Sequence, residues 1–173
     1  MEKKFLEKEE AIWHYICNTC FKSKEECKCT NADKSSLGID KDIIKIIQLL
    51  HEKNYQTLGC CQGHCAKYVT EKGNVYSTLS PTYISFDIAS KKDMEKELKK
   101  LNDADKNTIG VVMEPFRKME NERYQLVVPG IKKGGDSFDF FVQKRNERLS
   151  FLENWIKGFK VRTKTEPTIK TYY

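Results

Sequence analysis

Four cysteines near the amino end, Cys17, Cys20, Cys27 and Cys29, form a C-x-x-C pair and a C-x-C pair with "FKSKEE" between them. A zinc ion takes four ligands at the corners of a tetrahedron, each sulfur about 2.3 Å away. Two close pairs on a short loop can converge on such an ion without a long excursion of the chain. Lys22, Lys24 and Lys28 would offset the negative charge of four thiolates around one dication. The expectation is one structural zinc, although a four-cysteine iron–sulfur cluster could use the same spacing. A saturated four-thiolate site leaves no position for water, so it is expected to staple the chain rather than catalyse.

The other three cysteines fall in "GCCQGHC", Gly59 to Cys65, beside one of the chain's 3 histidines. Adjacent strand residues point to opposite faces, so Cys60 and Cys61 cannot both face a core. Gly63 permits a sharp turn. His64 has the chemistry of a metal ligand, a proton carrier near neutral pH or a hydrogen-bonding anchor. Two uses are open. Cys61, His64 and Cys65 are a candidate second metal set with one open position. In an enzyme reading, Thr57 and His64 orient a substrate and His64 transfers the proton.

These side chains need elements to hold them. A leader helix is expected around Leu6–Ile16, with Ile12, Trp13 and Ile16 on one side; Trp13 and Trp155 read as core. The polar stretch "TNADKSSLG" closes a unit over 1–38 made of leader helix and zinc knuckle. An α+β domain over 39–160 follows. "IDKDIIKIIQLLHEKN" predicts a helix capped by Asp40, with Asp42 in its first turn and Ile43, Ile46, Ile47 and Leu50 on one stripe. Asn54 can leave it through a left-handed conformation. "YQTLGCC" and "TYISFDIA" read as strands. Ser90 and Asp93 predict a capping-box start for a helix carrying Met94, Leu98 and Leu101.

"TIGVVMEP" and "YQLVVPG" are two further strands, and "PGIKKGGDS" reads as a β-to-α turn. "DSFDFFVQKRNERLSFLENWIKGF" is a long helix with Phe138, Phe141, Val142, Leu149, Leu152, Ile156 and Phe159 on its stripe. After the knuckle the order is α-β-β-α-β-β-α. Strands joined locally predict an α+β two-layer sandwich with a mainly antiparallel sheet.

Hydrophobic residues make up 39% of the 173-residue chain and charged residues 32%, a balance that can bury a real core under a highly charged surface. No apolar run approaches the length of a membrane span, and "MEKKFLEKEEAIWHY" lacks the apolar centre of a secretory leader. A cytoplasmic protein without a membrane is expected. Reducing cytosol and an odd cysteine count both argue against a disulfide framework. The net charge of +6 is concentrated at the carboxyl end. Lys160 and, in a basic tail over 161–173, Arg162, Lys164 and Lys170 are candidate phosphate contacts.

"NYQTLGCCQGH", preceded by an isoleucine-rich helix and followed by "TYISFDI", resembles small cysteine-knuckle proteins of phages and mobile elements in low-GC bacteria. Over Ile39 to Ala89 the chain also resembles the tRNA wybutosine-synthesis methyltransferase family. Thr57, Cys61 and Gly63 match that family's T-x-S-C-S-G-R motif, with Cys60 and His64 at its serine and arginine places. The second resemblance implies an α+β fold for the middle of the chain. The first implies a small zinc-stabilised binding protein that docks on a nucleic acid or a ribonucleoprotein complex, including inhibition of a host defence complex. An RNA- or nucleotide-modifying enzyme using the Gly59–Cys65 loop is the alternative.

Overall fold

Ile43, Ile46, Ile47 and Leu50 recur at helical spacing, and each is at most 1% exposed. Ile46, Ile47 and Leu50 form the inner stripe of α1 (Ile44–Glu52), continued by Ile43 in the 3₁₀ turn over Lys41–Ile43 that precedes it. Asn54 ends it at φ 61°, the left-handed conformation that asparagine tolerates. The computed structural model describes residues 3–17, 22–23, 25–29, 36–101, 109–115 and 123–163.

The architecture is α+β with antiparallel sheets. The strands are β1 (Lys3–Lys8), β2 (Trp13–Cys17), β3 (Ser36–Asp40), β4 (Thr57–Cys61), β5 (Cys65–Thr70), β6 (Val75–Leu79), β7 (Thr82–Asp87), β8 (Val112–Pro115), β9 (Arg123–Val128) and β10 (Ile131–Gly134). Two further helices among the described residues are α2 (Lys91–Lys99) and α3 (Phe138–Lys157). One sheet runs β4-β7-β9-β8 and another β1-β5-β6-β10, while β2 and β3 form a ribbon.

Ile84 and Phe86 of β7, Tyr124, Leu126 and Val128 of β9, Met94 of α2, and Leu149, Leu152 and Ile156 of α3 join the α1 stripe in the main core. A smaller cluster of Cys65, Leu79 and Phe141 packs the other four-stranded sheet on the start of α3. At 20 residues α3 is roughly 30 Å long, enough to serve both sheets.

The expected leader helix is absent. Residues 3–8 and 13–17 are strands, because β1 pairs with β5 and β2 with β3. Long-range pairing overrides the helix propensity of "KKFLEK", and "IWHYIC" is itself rich in residues that favour strands. Trp13 is not core: it is 56% exposed. Trp155 does pack against the main core.

The expected element order also changes. "YVTEKGNVYSTL" forms the β5–β6 hairpin, and "IKKG" is a strand paired with β6 rather than a turn. The end of the polar stretch, from Ser36, belongs to β3. Neither helix cap forms as expected. Asp40 makes no side-chain cap bond. Ser90 Oγ instead donates to Asp87 O at 2.8 Å and meets Tyr124 Oη at 3.1 Å. Among the described residues no helix is long and apolar enough to cross a membrane.

Candidate metal centres and a lysine–aromatic sheet face

The first cysteine group converges. Sulfurs of Cys17, Cys27 and Cys29 lie within 4.8 Å of one another, compatible with the edge of about 3.8 Å in a tetrahedron with 2.3 Å bonds. These three residues could hold a metal ion. Cys17 ends β2, and its backbone N–H donates to Lys22 O at 2.9 Å. The Cys27 N–H donates to Ser23 O at 3.0 Å, and Ile16 bridges Ser23. Cys20 lies outside the described residues.

The second group is rearranged. Asp40, Cys61 and His64 bring their ligand atoms within 4.8 Å of one another. Cys65 is not with them: its side chain is fully buried beside Leu79 and Phe141, and burial pushes its thiol up to about 11, with Glu9 adding to the rise. Cys60 faces the main core, and burial pushes its thiol up to about 12. Burial also pushes the Cys61 thiol up, while a Gly63 N–H aimed at its sulfur pulls the other way. A raised thiol is a poor nucleophile. Thr57 and Cys61 occupy opposite ends of β4, and His64 follows in the loop after it.

The loop joining β4 to β5 is fixed at many points. Gly63 has φ +82°, and a Cβ there would stand 2.9 Å from both Ser80 O and Thr82 Oγ1. Thr82 Oγ1 donates to Gln62 O at 2.8 Å, and the His64 N–H donates to Ser80 Oγ at 2.8 Å. Asp40, read from sequence as a helix cap, instead accepts the Gln62 N–H on Oδ2 at 3.2 Å. Its role carried no local signal, because it precedes Cys61 by more than a whole helix.

A third feature had no local signal at all. Phe5 pairs with Tyr68, and Tyr68 with Tyr76, so three rings form one row across β1, β5 and β6. Ring centroids are 6.1 Å apart for Phe5–Tyr68 and 5.7 Å for Tyr68–Tyr76. The next row is Lys8, Ala66, Thr78 and Lys132. Lys132 Nζ lies 4.1 Å from the Tyr76 centroid, Lys3 Nζ 4.8 Å from Tyr68, and Lys8 Nζ 5.7 Å from Phe5. Cys65 and Leu79, on the opposite face, pack on α3. None of the three rings belongs to either core cluster. Phe5 is 53% exposed, whereas Tyr68 is 4% exposed and supports its neighbours.

The carboxyl-terminal cations divide. Lys160 is exposed, on the rim of a cleft lined by Tyr55, Asp93 and Lys96. Arg162 is structural: it donates to Asp93 Oδ2 at 2.8 Å, Asn54 O at 2.9 Å and Ala89 O at 2.8 Å, and stacks on Tyr55. All three guanidinium nitrogens are engaged, so the expected phosphate contact gives way to a clamp on the chain end. Lys164 and Lys170 lie outside the described residues.

Arg162→Ala is expected to lower stability by about 1–3 kcal/mol, because it strands carbonyls the guanidinium had satisfied. The Arg162 hydrogen bond, then Lys96, holds the Asp93 carboxyl below its ordinary range. That part of the stabilisation is full above the ordinary aspartate value and is lost as pH falls through the depressed one. Urea midpoints should therefore show the gap between wild type and variant narrowing in acid; a constant gap would assign the loss to the carbonyl bonds alone.

No family model, curated protein or solved structure matches the chain.

Proposed function

We propose that the chain is a metal-stapled nucleic-acid-binding protein that grips single strands on the lysine–aromatic face of its β1-β5-β6-β10 sheet. Zinc, held by Cys17, Cys27 and Cys29 with Cys20 as the fourth ligand, is its structural metal. The observation that carries the reading is the row Phe5–Tyr68–Tyr76 with Lys3, Lys8 and Lys132 placed over its rings. Single-strand binders combine exposed rings, on which bases stack, with cations that follow the phosphates. Cation–π contacts at exposed sites are worth only about 0.5–1 kcal/mol, so these ammonium groups can leave the rings for phosphates at little cost.

The test is fluorescence anisotropy with a labelled oligouridine or oligothymidine. Three lysine–phosphate contacts on a single strand give a log–log salt slope of about −2, or roughly a twentyfold loss of affinity over a fourfold rise in salt. Phe5→Ala and Tyr76→Ala should each weaken binding by about 1–3 kcal/mol, roughly fivefold to more than a hundredfold. Absence of binding at low salt, or binding indifferent to both ring deletions and to Lys132→Ala, would overturn the proposal.

A further inference from the structure

We infer that Asp40, Cys61 and His64 form a second metal site, taking a zinc-class divalent ion with three protein ligands and a fourth position open to solvent. The three come from separate segments: the end of β3, the end of β4, and the loop before β5. In a tetrahedral site with nitrogen and oxygen ligands at about 2.0–2.1 Å, neighbouring ligand atoms stand roughly 3.3 Å apart. Asp40 Oδ2 and His64 Nε2 are 3.3 Å apart. A charge-assisted hydrogen bond would close to about 2.7–2.9 Å, so the spacing fits the edge of a coordination sphere better than an ion pair.

A buried atom lacks what an ion would supply. Asp40 is 2% exposed, yet its Oδ1 has no hydrogen-bond partner among the described residues. Buried carboxylates are ordinarily paired or bound to metal, because an unsatisfied one is costly. Asp40 also stands where a helix cap would bond the turn that follows, but its side chain makes no such bond. It is turned instead toward Cys61 and His64.

The surroundings resemble the supporting shell of a metal centre. The Gln62 N–H fixes the Asp40 carboxylate through Oδ2, which keeps a second lone pair for an ion, and the Gly63 N–H donates to Cys61 Sγ at 3.4 Å. Gln62 is fixed in turn, because its Oε1 accepts the Asp42 N–H at 3.0 Å. Such outer contacts fix ligand orientation before the ion arrives. One thiolate, one imidazole and one carboxylate suit zinc and its neighbours, not magnesium or calcium, which prefer oxygen throughout. Two anionic ligands balance a dication, so the loaded site is neutral where it is half-buried. The His64 side chain is 24% exposed, which gives water or a small anion access to the fourth position.

The experiment is titration of the chelator-stripped full chain with cobalt(II) and with zinc. Wild type should take up one equivalent more than Cys61→Ser or His64→Ala. Asp40→Asn, nearly the same shape, should weaken the second equivalent by more than about a hundredfold, beyond the effect of losing a supporting contact. A Cys17→Ser, Cys27→Ser, Cys29→Ser triple variant should keep one equivalent, with the cobalt absorption of a single sulfur ligand. Equal stoichiometry and affinity in wild type and Asp40→Asn would overturn the inference, as would a folded triple variant that takes up no ion. Oligonucleotide binding is not the readout, so this inference and the proposed function fail separately.

Discussion

Arg145→Ala is expected to destabilise the chain by about 3–5 kcal/mol, the usual cost of removing one partner from a buried ion pair. Arg145 occupies the apolar stripe of α3 between Phe141 and Leu149, where its side chain is only 6% exposed. It pairs there with Glu9 and reaches Asp42 at 3.5 Å. Glu9 does a second job, accepting the Cys65 N–H on Oε2 at 3.0 Å. The cluster thus ties the segment after β1 to α3 and to the start of β5. With the guanidinium gone, the Glu9 carboxylate stays in place, 22% exposed and without its cation.

The chemistry of the loss can be separated from its geometry. If an uncompensated charge is responsible, Arg145→Met combined with Glu9→Gln should be more stable than Arg145→Met alone, because the half-buried Glu9 charge is then removed and only the more exposed Asp42 loses its cation. Urea unfolding followed by circular dichroism measures both. A loss below about 1 kcal/mol for Arg145→Ala would mean that water reaches Glu9 freely and that the pair behaves as a surface contact.

Helical periodicity was the most legible part of the fold. The stripes of α1 and α3 stand where the spacing of Ile43–Leu50 and Phe141–Ile156 puts them, since a helix is specified by neighbours three and four residues away. Strands at the sheet edges were not legible. "KKFLEK" favours a helix locally, and it is a strand only because β5 supplies partners about sixty residues later. "IKKG" is likewise a strand only because β6 lies beside it.

The same distinction governs the sites. Cys17, Cys27 and Cys29 were readable because metal spacing is local. Asp40 was not, because in sequence it looks like a cap and its partners lie beyond the next helix. The row of Phe5, Tyr68 and Tyr76 draws on three strands, and its lysines come from β1 and from the distant β10. No window of sequence contains it.

Removal of metal from the first cysteine group is expected to release the β2–β3 ribbon while the main core stays folded. The seven described residues from Lys22 to Cys29 are all exposed or half-buried, and none of them belongs to either core cluster. Ordering seven residues costs about 7–14 kcal/mol in backbone entropy, more than a few hydrogen bonds can offset. A structural zinc site supplies about 10–16 kcal/mol, the right order to close that difference. Among the described residues only Ile16 and Ile39 of β2 and β3 enter the main core; the rest comes from the helices, the β4-β7-β9-β8 sheet and the segments joining them. Chelation, or Cys27→Ser with Cys29→Ser, should therefore leave the helical circular dichroism nearly unchanged. Amide exchange over Trp13–Cys17 should accelerate by about a thousandfold or more, equivalent to roughly 4 kcal/mol of lost local stability. Unchanged exchange in fully stripped protein would show that the ribbon is held by its own hydrogen bonds and by Ile16, and that the sulfurs do not staple it.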